Sequence, residues 1–245
     1  MPWHMIEAAL SSPAPRYAIY YAPEPNSALA RFGAICIGRD AQTGEAVSHL
    51  ALPGFSAVQL ARVTAEPRRY GFHGTLKAPF RLTEGATEDG LADRLEAFAT
   101  AQSAFSAPPL MLAEIAGFLA LIPSKDSPQL RDLAARCVHE FDDLRAPPTA
   151  VERARRLAGD LTPAQQQLLA RWGYPYVMRE FRFHLTLTDK LPAELRDPLS
   201  RALAPLAAPV TRERFVVRDV ALFRQPAPDA PFTVLARFPF GAAAC

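Results

Sequence analysis

Two short segments of this chain carry the same polar pattern in the same apolar frame: Phe72-His73-Gly74-Thr75-Leu76 and Phe183-His184-Leu185-Thr186-Leu187. Each holds a histidine and a threonine two residues apart. Alternate side chains of a strand point to opposite faces, so His73 shares a face with Thr75, and His184 with Thr186. An imidazole titrates at about pH 6.5 and serves as proton donor or acceptor near neutrality. Two imidazoles and two hydroxyls around one cleft suit acid–base chemistry on a phosphate ester. One imidazole takes a proton from water or a hydroxyl, the other gives one to the departing oxygen, and nearby donors hold the phosphoryl oxygens.

The alternation extends on either side. In the second segment Phe181, Phe183, Leu185 and Leu187 form an apolar face, while Arg182, His184, Thr186 and Thr188 form a polar one. In the first, Phe72, Leu76 and Ala78 lie on one side and Gly71, His73, Thr75 and Lys77 on the other. Lys77 and Arg182 are therefore the candidate cations for a phosphate held by Thr75 and Thr186. Side chains at i and i+2 sit about 6.5–7 Å apart along a strand, so a histidine and a threonine can reach different oxygens of one phosphate.

The elements that must position these residues follow from pattern and punctuation. A first strand covers 16–22, rich in aromatics and closed by Pro23. Helical patterns follow at 26–37 and 56–65. The first His-Thr pair lies on a strand over 69–82. An amphipathic helix is expected over 87–105, then a strand over 110–122 with a bulge at Gly117. Ser127 caps a helix with Pro128 at its first position and an apolar stripe from Leu130 to Phe141. Thr162-Pro163 opens another helix ending near Gly173. The second His-Thr strand covers 179–188, followed by a short helix after Pro192 and strands at 214–224 and 232–240.

Composition narrows the function classes. The chain has 245 residues, 49% hydrophobic and 21% charged, with a formal net charge of +2. That is a globular profile with no clustered basic stripe for duplex nucleic acid. Cys36, Cys137 and Cys245 form no CxxC pair, so neither a disulfide framework nor a zinc knuckle is expected. The amino terminus lacks the features of a signal peptide, and the apolar stretch 108–123 is too short to span a bilayer, so a cytoplasmic protein with no membrane partner is expected. His4, near the terminus, His49, in a solvated loop, and His139, on a helix, offer no metal-ligand spacing, and no metal or cofactor is expected. GxSxG, GxGxxG and P-loop motifs are absent.

The paired His73-Gly74-Thr75 and His184-Leu185-Thr186 resemble the two HxT/S signatures of the 2H phosphoesterase superfamily. The block from Arg69 through Lys77 to Leu82 resembles more narrowly a bacterial subgroup linked to phosphonate utilisation, as do the opening strand at Arg16 and the segment Phe181–Thr188. The resemblance implies an α+β, bilobal 2H phosphoesterase-like fold. Two pseudo-symmetric lobes with antiparallel sheets would surround a central groove, helices outside, in one domain over 1–245 with a helical connection at about 126–173. It further implies His73 and His184 as the catalytic pair and Thr75 and Thr186 as phosphate binders. The activity expected is metal-independent hydrolysis of a small cyclic phosphate, with a phosphorylated sugar or nucleotide as the partner. The alternative is a non-catalytic or ligase-type RNA- or nucleotide-binding protein using the same groove.

Overall fold

The computed structural model describes residues 14–157 and 159–241. The amino-terminal segment read above, with His4, and Cys245 at the other end lie outside the described residues.

The chain opens with β1 (Arg16–Tyr21), α1 (Ala28–Ile37), α2 (Ala57–Val63) and α3 (Ala65–Tyr70). Next come β2 (Gly74–Phe80), α4 (Glu88–Thr100), β3 (Phe105–Ala107), β4 (Leu110–Ile115) and β5 (Phe118–Pro123). The middle is helical: α5 (Pro128–Glu140), α6 (Ala150–Leu157) and α7 (Pro163–Trp172). A 3-10 turn (Met178–Glu180) leads into β6 (Leu185–Thr186), then α8 (Ala193–Thr211), β7 (Phe215–Val217), β8 (Asp219–Gln225) and β9 (Thr233–Pro239). The class is α+β: seven strands form one sheet in the order β4-β5-β6-β2-β1-β8-β9, and β3 pairs with β7 apart from it. Every pairing within both sheets is antiparallel.

The two motif strands are neighbours at the middle of this sheet. They meet through one register pair, Gly74 opposite Leu185. To one side lie β1, β8 and β9, to the other β5 and β4, so strands from both ends of the chain flank the first motif and strands from its middle flank the second. Tyr17, Ile19 and Tyr21 of β1 join the large core, with Leu95 of α4, Leu133 and Cys137 of α5 and Leu203 of α8. Ala18, Tyr20 and Ala22 point the other way, into a small cluster with Ala221, Phe223 and Phe232. Phe183, Leu185 and Leu187 are buried in the large core, so the histidine face is the one carrying the small cluster.

Several boundaries differ from the sequence reading. The segment 69–82 is not all strand: α3 takes its first two residues and ends at Gly71, whose φ of 82° breaks the helix. The strand expected over 110–122 is a hairpin, β4 and β5, with Gly117 in its turn (φ 94°) rather than in a bulge. The strand over 179–188 shortens to two residues: a 3-10 turn takes Met178–Glu180, and beyond Thr186 the Leu187 and Thr188 N–H groups both donate to the Leu119 carbonyl, while the buried Thr188 hydroxyl accepts the Leu119 N–H and donates to the Asp189 carbonyl. The helix after Pro192 is not short. It runs 19 residues through Pro198, Pro205 and Pro209, holding Leu199, Leu203, Ala207 and Val210 in the core. The Ser127 and Thr162 caps, with proline at the first helical position after each, stand where the sequence puts them.

Close approach of β2 and β6 depends on Gly74. A Cβ there would stand 2.6 Å from two ring carbons of Phe183 and 3.3 Å from Leu185. The Gly74→Ala variant is expected to lose about 1–3 kcal/mol of stability to overpacking. Adding Phe183→Leu should recover part of that loss. Urea denaturation of the two variants checks this, and unchanged stability in Gly74→Ala would contradict it.

Candidate active site

The register of β2 against β6 decides which motif residues meet. With Gly74 opposite Leu185, antiparallel pairing puts His73 across from Thr186 and Thr75 across from His184. All four side chains leave the face opposite to Gly74 and Leu185. Cross-strand neighbours have Cβ atoms about 4.5–5.5 Å apart, so each histidine lies beside the threonine of the other motif. The doubled pattern thus becomes a diagonal array of His, Thr, Thr and His.

Both imidazoles are held by the same device. His73 Nδ1 lies 2.7 Å from the Gly71 carbonyl, and His184 Nδ1 lies 2.7 Å from the Arg182 carbonyl, each two residues back along its own chain. A carbonyl only accepts, so Nδ1 carries a proton in each ring, and in the neutral ring Nε2 keeps its lone pair. His73 Nε2 lies 3.2 Å from Thr75 Oγ1, whose hydroxyl donates to the neutral ring.

The surroundings of the two rings differ. Tyr20 of β1 stacks on His73 with centroids 3.7 Å apart and planes 20° apart. Burial pushes the His73 pKa down to about 4, the Gly71 carbonyl opposes this, and the charges of His184 and Arg39 add to it. Burial also lowers His184, opposed by the Arg182 carbonyl. Arg39 is itself buried, donating to the carbonyls of Arg68, Arg69 and Phe232. It packs against Gly71, where an added Cβ would stand 3.3 Å from its Nη2. A fixed cation thus stands behind the loop that orients His73.

A cavity of about 390 Å³ opens beside the array, within the range typical of small-molecule sites. Thr75, His184, Arg182 and Lys190 supply its polar lining, while Phe118, Tyr174, Tyr176 and Phe181 give it an aromatic wall. Glu180, also in the wall, is engaged by Gln165 Nε2 at 2.9 Å. These are donors and cations suited to an anion. Among the described residues no three His, Cys, Asp or Glu side chains lie together as a metal site would require.

The structure gathers most of the expected residues and separates one. His73, Thr75, His184 and Thr186 share the face, and exposed Arg182 lines the cavity. Lys77 does not join them. Tyr20 pairs with Thr75 but Ile19 pairs with Lys77, so two β2 residues oppose one step of β1. That bulge turns Lys77 to the Ile19 side. There it is buried, 3.5 Å from Asp142 and 3.3 Å from the Val138 carbonyl of α5. Its pKa is pushed down to about 8 by burial, against the pull of Asp142. The lysine at the cavity is Lys190, which strand periodicity did not single out. Tyr20 and Tyr174 were also missed, although Tyr20 lies on the expected first strand and Tyr174 directly follows the Gly173 helix cap. His49 is half-buried, with Nδ1 3.1 Å from the Cys36 carbonyl, and so is not the solvated residue expected.

Comparison with known proteins adds relatives. The family described as "Protein of unknown function (DUF1045)" matches residues 75–233. The chain is 39% identical over 229 residues to ribose 1,5-bisphosphate phosphokinase PhnN of Janthinobacterium sp. (strain Marseille), covering 92% of this chain and 51% of that protein. It is 37% identical over 219 residues to the protein of the same name from Laribacter hongkongensis (strain HLHK9), covering 89% and 50%. The chain spans about half the length of these curated relatives. Among solved structures it is similar to E. coli LigT complexed with 3′-AMP, at 15% identity and a TM-score of 0.42, covering 93% of this chain and 98% of that one. It is also similar to a structure described as a phosphoesterase, at 16% identity and a TM-score of 0.42, covering 93% and 99%.

The lowered His73 pKa ties stability to pH. The unfolded chain takes up its proton at about pH 6.5, whereas the folded chain resists doing so until about pH 4. The contribution is complete above about pH 6.5 and is lost as pH falls toward about 4. Urea midpoints measured between pH 7.5 and pH 4.5 should fall more gently in His73→Gln than in the parent chain. Equal slopes would contradict the assigned burial.

Proposed function

The chain belongs to the DUF1045 family, and on that premise we propose that it is a phosphodiesterase working by metal-independent acid–base catalysis on a small cyclic phosphate. The observation that carries this reading is the diagonal array on β2 and β6, with both Nδ1 atoms held by backbone carbonyls, which leaves Nε2 of each ring as the atom for proton transfer. A diester held between the strands would meet one imidazole on each side. Thr75 and Thr186, with Arg182 and Lys190 at the rim, would donate to the phosphoryl oxygens.

The differing environments divide the roles. His73, pushed further toward its neutral form, accepts the proton of the attacking water. The water oxygen bonds to phosphorus, and the bond from phosphorus to the ring-closing ester oxygen breaks. His184, which faces the cavity and is drawn toward its cationic form by the bound anion, protonates that oxygen. The product is a phosphate monoester with a free hydroxyl.

Two observations support the choice of substrate class. The relatives are named ribose 1,5-bisphosphate phosphokinases and this chain spans half of each. It lacks the GxxxxGK[ST] loop that cradles nucleotide phosphates in P-loop kinases, so the proposed activity is a companion to phosphorylation. A cyclic ribose phosphate arising in phosphonate catabolism is therefore the first substrate to test. The aromatic wall of Phe118, Tyr174, Tyr176 and Phe181 favours a second reading, a cyclic nucleotide whose base stacks there. Relative kcat/KM on ribose 1,2-cyclic phosphate and on 2′,3′-cyclic nucleotides separates the two.

Turnover should show a bell-shaped pH dependence that EDTA leaves unchanged. His73→Ala and His184→Ala should each lower kcat by about 10²–10⁴-fold. Full activity in either variant would overturn the mechanism.

A further inference from the structure

Four arginines converge on a narrow cleft beside the histidine cavity: Arg16, Arg81, Arg145 and Arg156, over Pro79 and Gly173. All four are half-buried. Two are neutralised. Arg81 pairs with Glu152 at 3.1 Å, and Arg145 grips Asp142 with bonds of 2.8 and 3.2 Å. The other two make no close ion pair, although Glu152, four residues before Arg156 on the same helix, acts on Arg156 from further away. Arg16 donates through Nε to Gln225 Oε1 at 2.7 Å and lies over the Phe232 ring at 5.5 Å. Arg156 lies over the Tyr174 ring at 5.8 Å. Among the described residues neither of these two guanidinium groups has a carboxylate partner. Asp142 also serves Lys77 at 3.5 Å, so the two carboxylates, Glu152 and Asp142, face the four arginines and that lysine, and positive charge is in excess at the cleft.

Stacking on aromatic rings accounts for the flat faces of Arg16 and Arg156 but leaves most of their N–H edges without protein acceptors. Like charges gathered in a partly desolvated cleft repel, and a bound anion relieves that cost. Burial lowers the Arg156 pKa; Tyr174 and Glu152 oppose this, and the charges of Arg16 and Arg145 add to it. Guanidinium forks match phosphate oxygens two at a time, which suits them to phosphate more than to a point anion such as chloride.

We propose that this arginine cleft is a second anion site, one that receives a phosphate group outside the histidine cavity. The two sites share a wall. Tyr174 lines the histidine cavity and carries Arg156 on its ring, while consecutive β2 residues Ala78 and Pro79 face the cavity and the cleft respectively. From Thr75 to Pro79 the strand advances about 13 Å at about 3.3 Å per residue. One phosphate cannot touch both sites, so the group in the cleft is a free phosphate or the distal phosphate of an extended substrate.

Calorimetric titration of the chain with inorganic phosphate tests this without any need for turnover, so its outcome is separable from that of the proposed hydrolysis. In a His73→Asn, His184→Asn background, which disables the histidine cradle, one equivalent of phosphate should still bind. Adding Arg16→Met or Arg156→Met should weaken that binding at least ten-fold, and Arg156→Lys, which keeps the charge but loses the fork, should weaken it less. Unchanged affinity in both methionine variants, or no phosphate binding in the histidine-disabled background, would overturn the proposal. Steady-state kinetics then distinguishes the sources. A distal phosphate predicts that Arg156→Met raises KM for a 5′-phosphorylated cyclic substrate and not for its unphosphorylated counterpart, whereas a free anion predicts that neither KM moves.

Discussion

The structure depends on how closely β2 and β6 approach. They touch through one register pair, and Gly74 makes the contact possible by leaving room for the Phe183 ring. A side chain at that position would press the strands apart, and the diagonal of imidazoles and hydroxyls on the opposite face would open with them. The apolar side of each motif therefore sets the geometry of the polar side. Phe183, Leu185 and Leu187 fix the sheet on the large core, and His73, Thr75, His184 and Thr186 follow from strand alternation.

Symmetry and its breaking then divide the labour. The backbone fixes both rings alike, through a carbonyl two residues upstream, so both present Nε2 outward in the same tautomer. Their neighbours differ. His73 is stacked on Tyr20 and backed by buried Arg39, which makes it the poorer proton holder, while His184 looks into the cavity beside Arg182 and Lys190. Two copies of one motif thereby acquire different acid–base characters without any change in their own residues.

Much of this was legible in the sequence because strand periodicity and helix caps are local. The two HxT faces, the Ser127 and Thr162 caps and the apolar stripe of α5 are each readable within about a dozen residues. Lys77 was misplaced because a bulge depends on the partner strand, and nothing within β2 announces that Ile19 and Tyr20 will face Lys77 and Thr75. The hairpin at Gly117 was read as a bulge because a glycine in an apolar run fits either role. Three prolines made α8 look short, although its buried leucines keep helical spacing throughout. Tyr20, Arg39 and Tyr174 act through contacts between distant segments, which residue spacing does not encode.

The central claim is that both imidazoles, in one tautomer, close on a single phosphate. Long-range ¹H–¹⁵N correlation spectra of the histidine rings report this directly, recorded at pH 7 with and without a non-hydrolysable phosphate diester. The account predicts that His73 and His184 both show protonated Nδ1 and unprotonated Nε2 in the free protein. Both Nε2 resonances should then shift with the same apparent Kd as ligand is added. A response from one histidine alone, or the opposite tautomer in either ring, would contradict it.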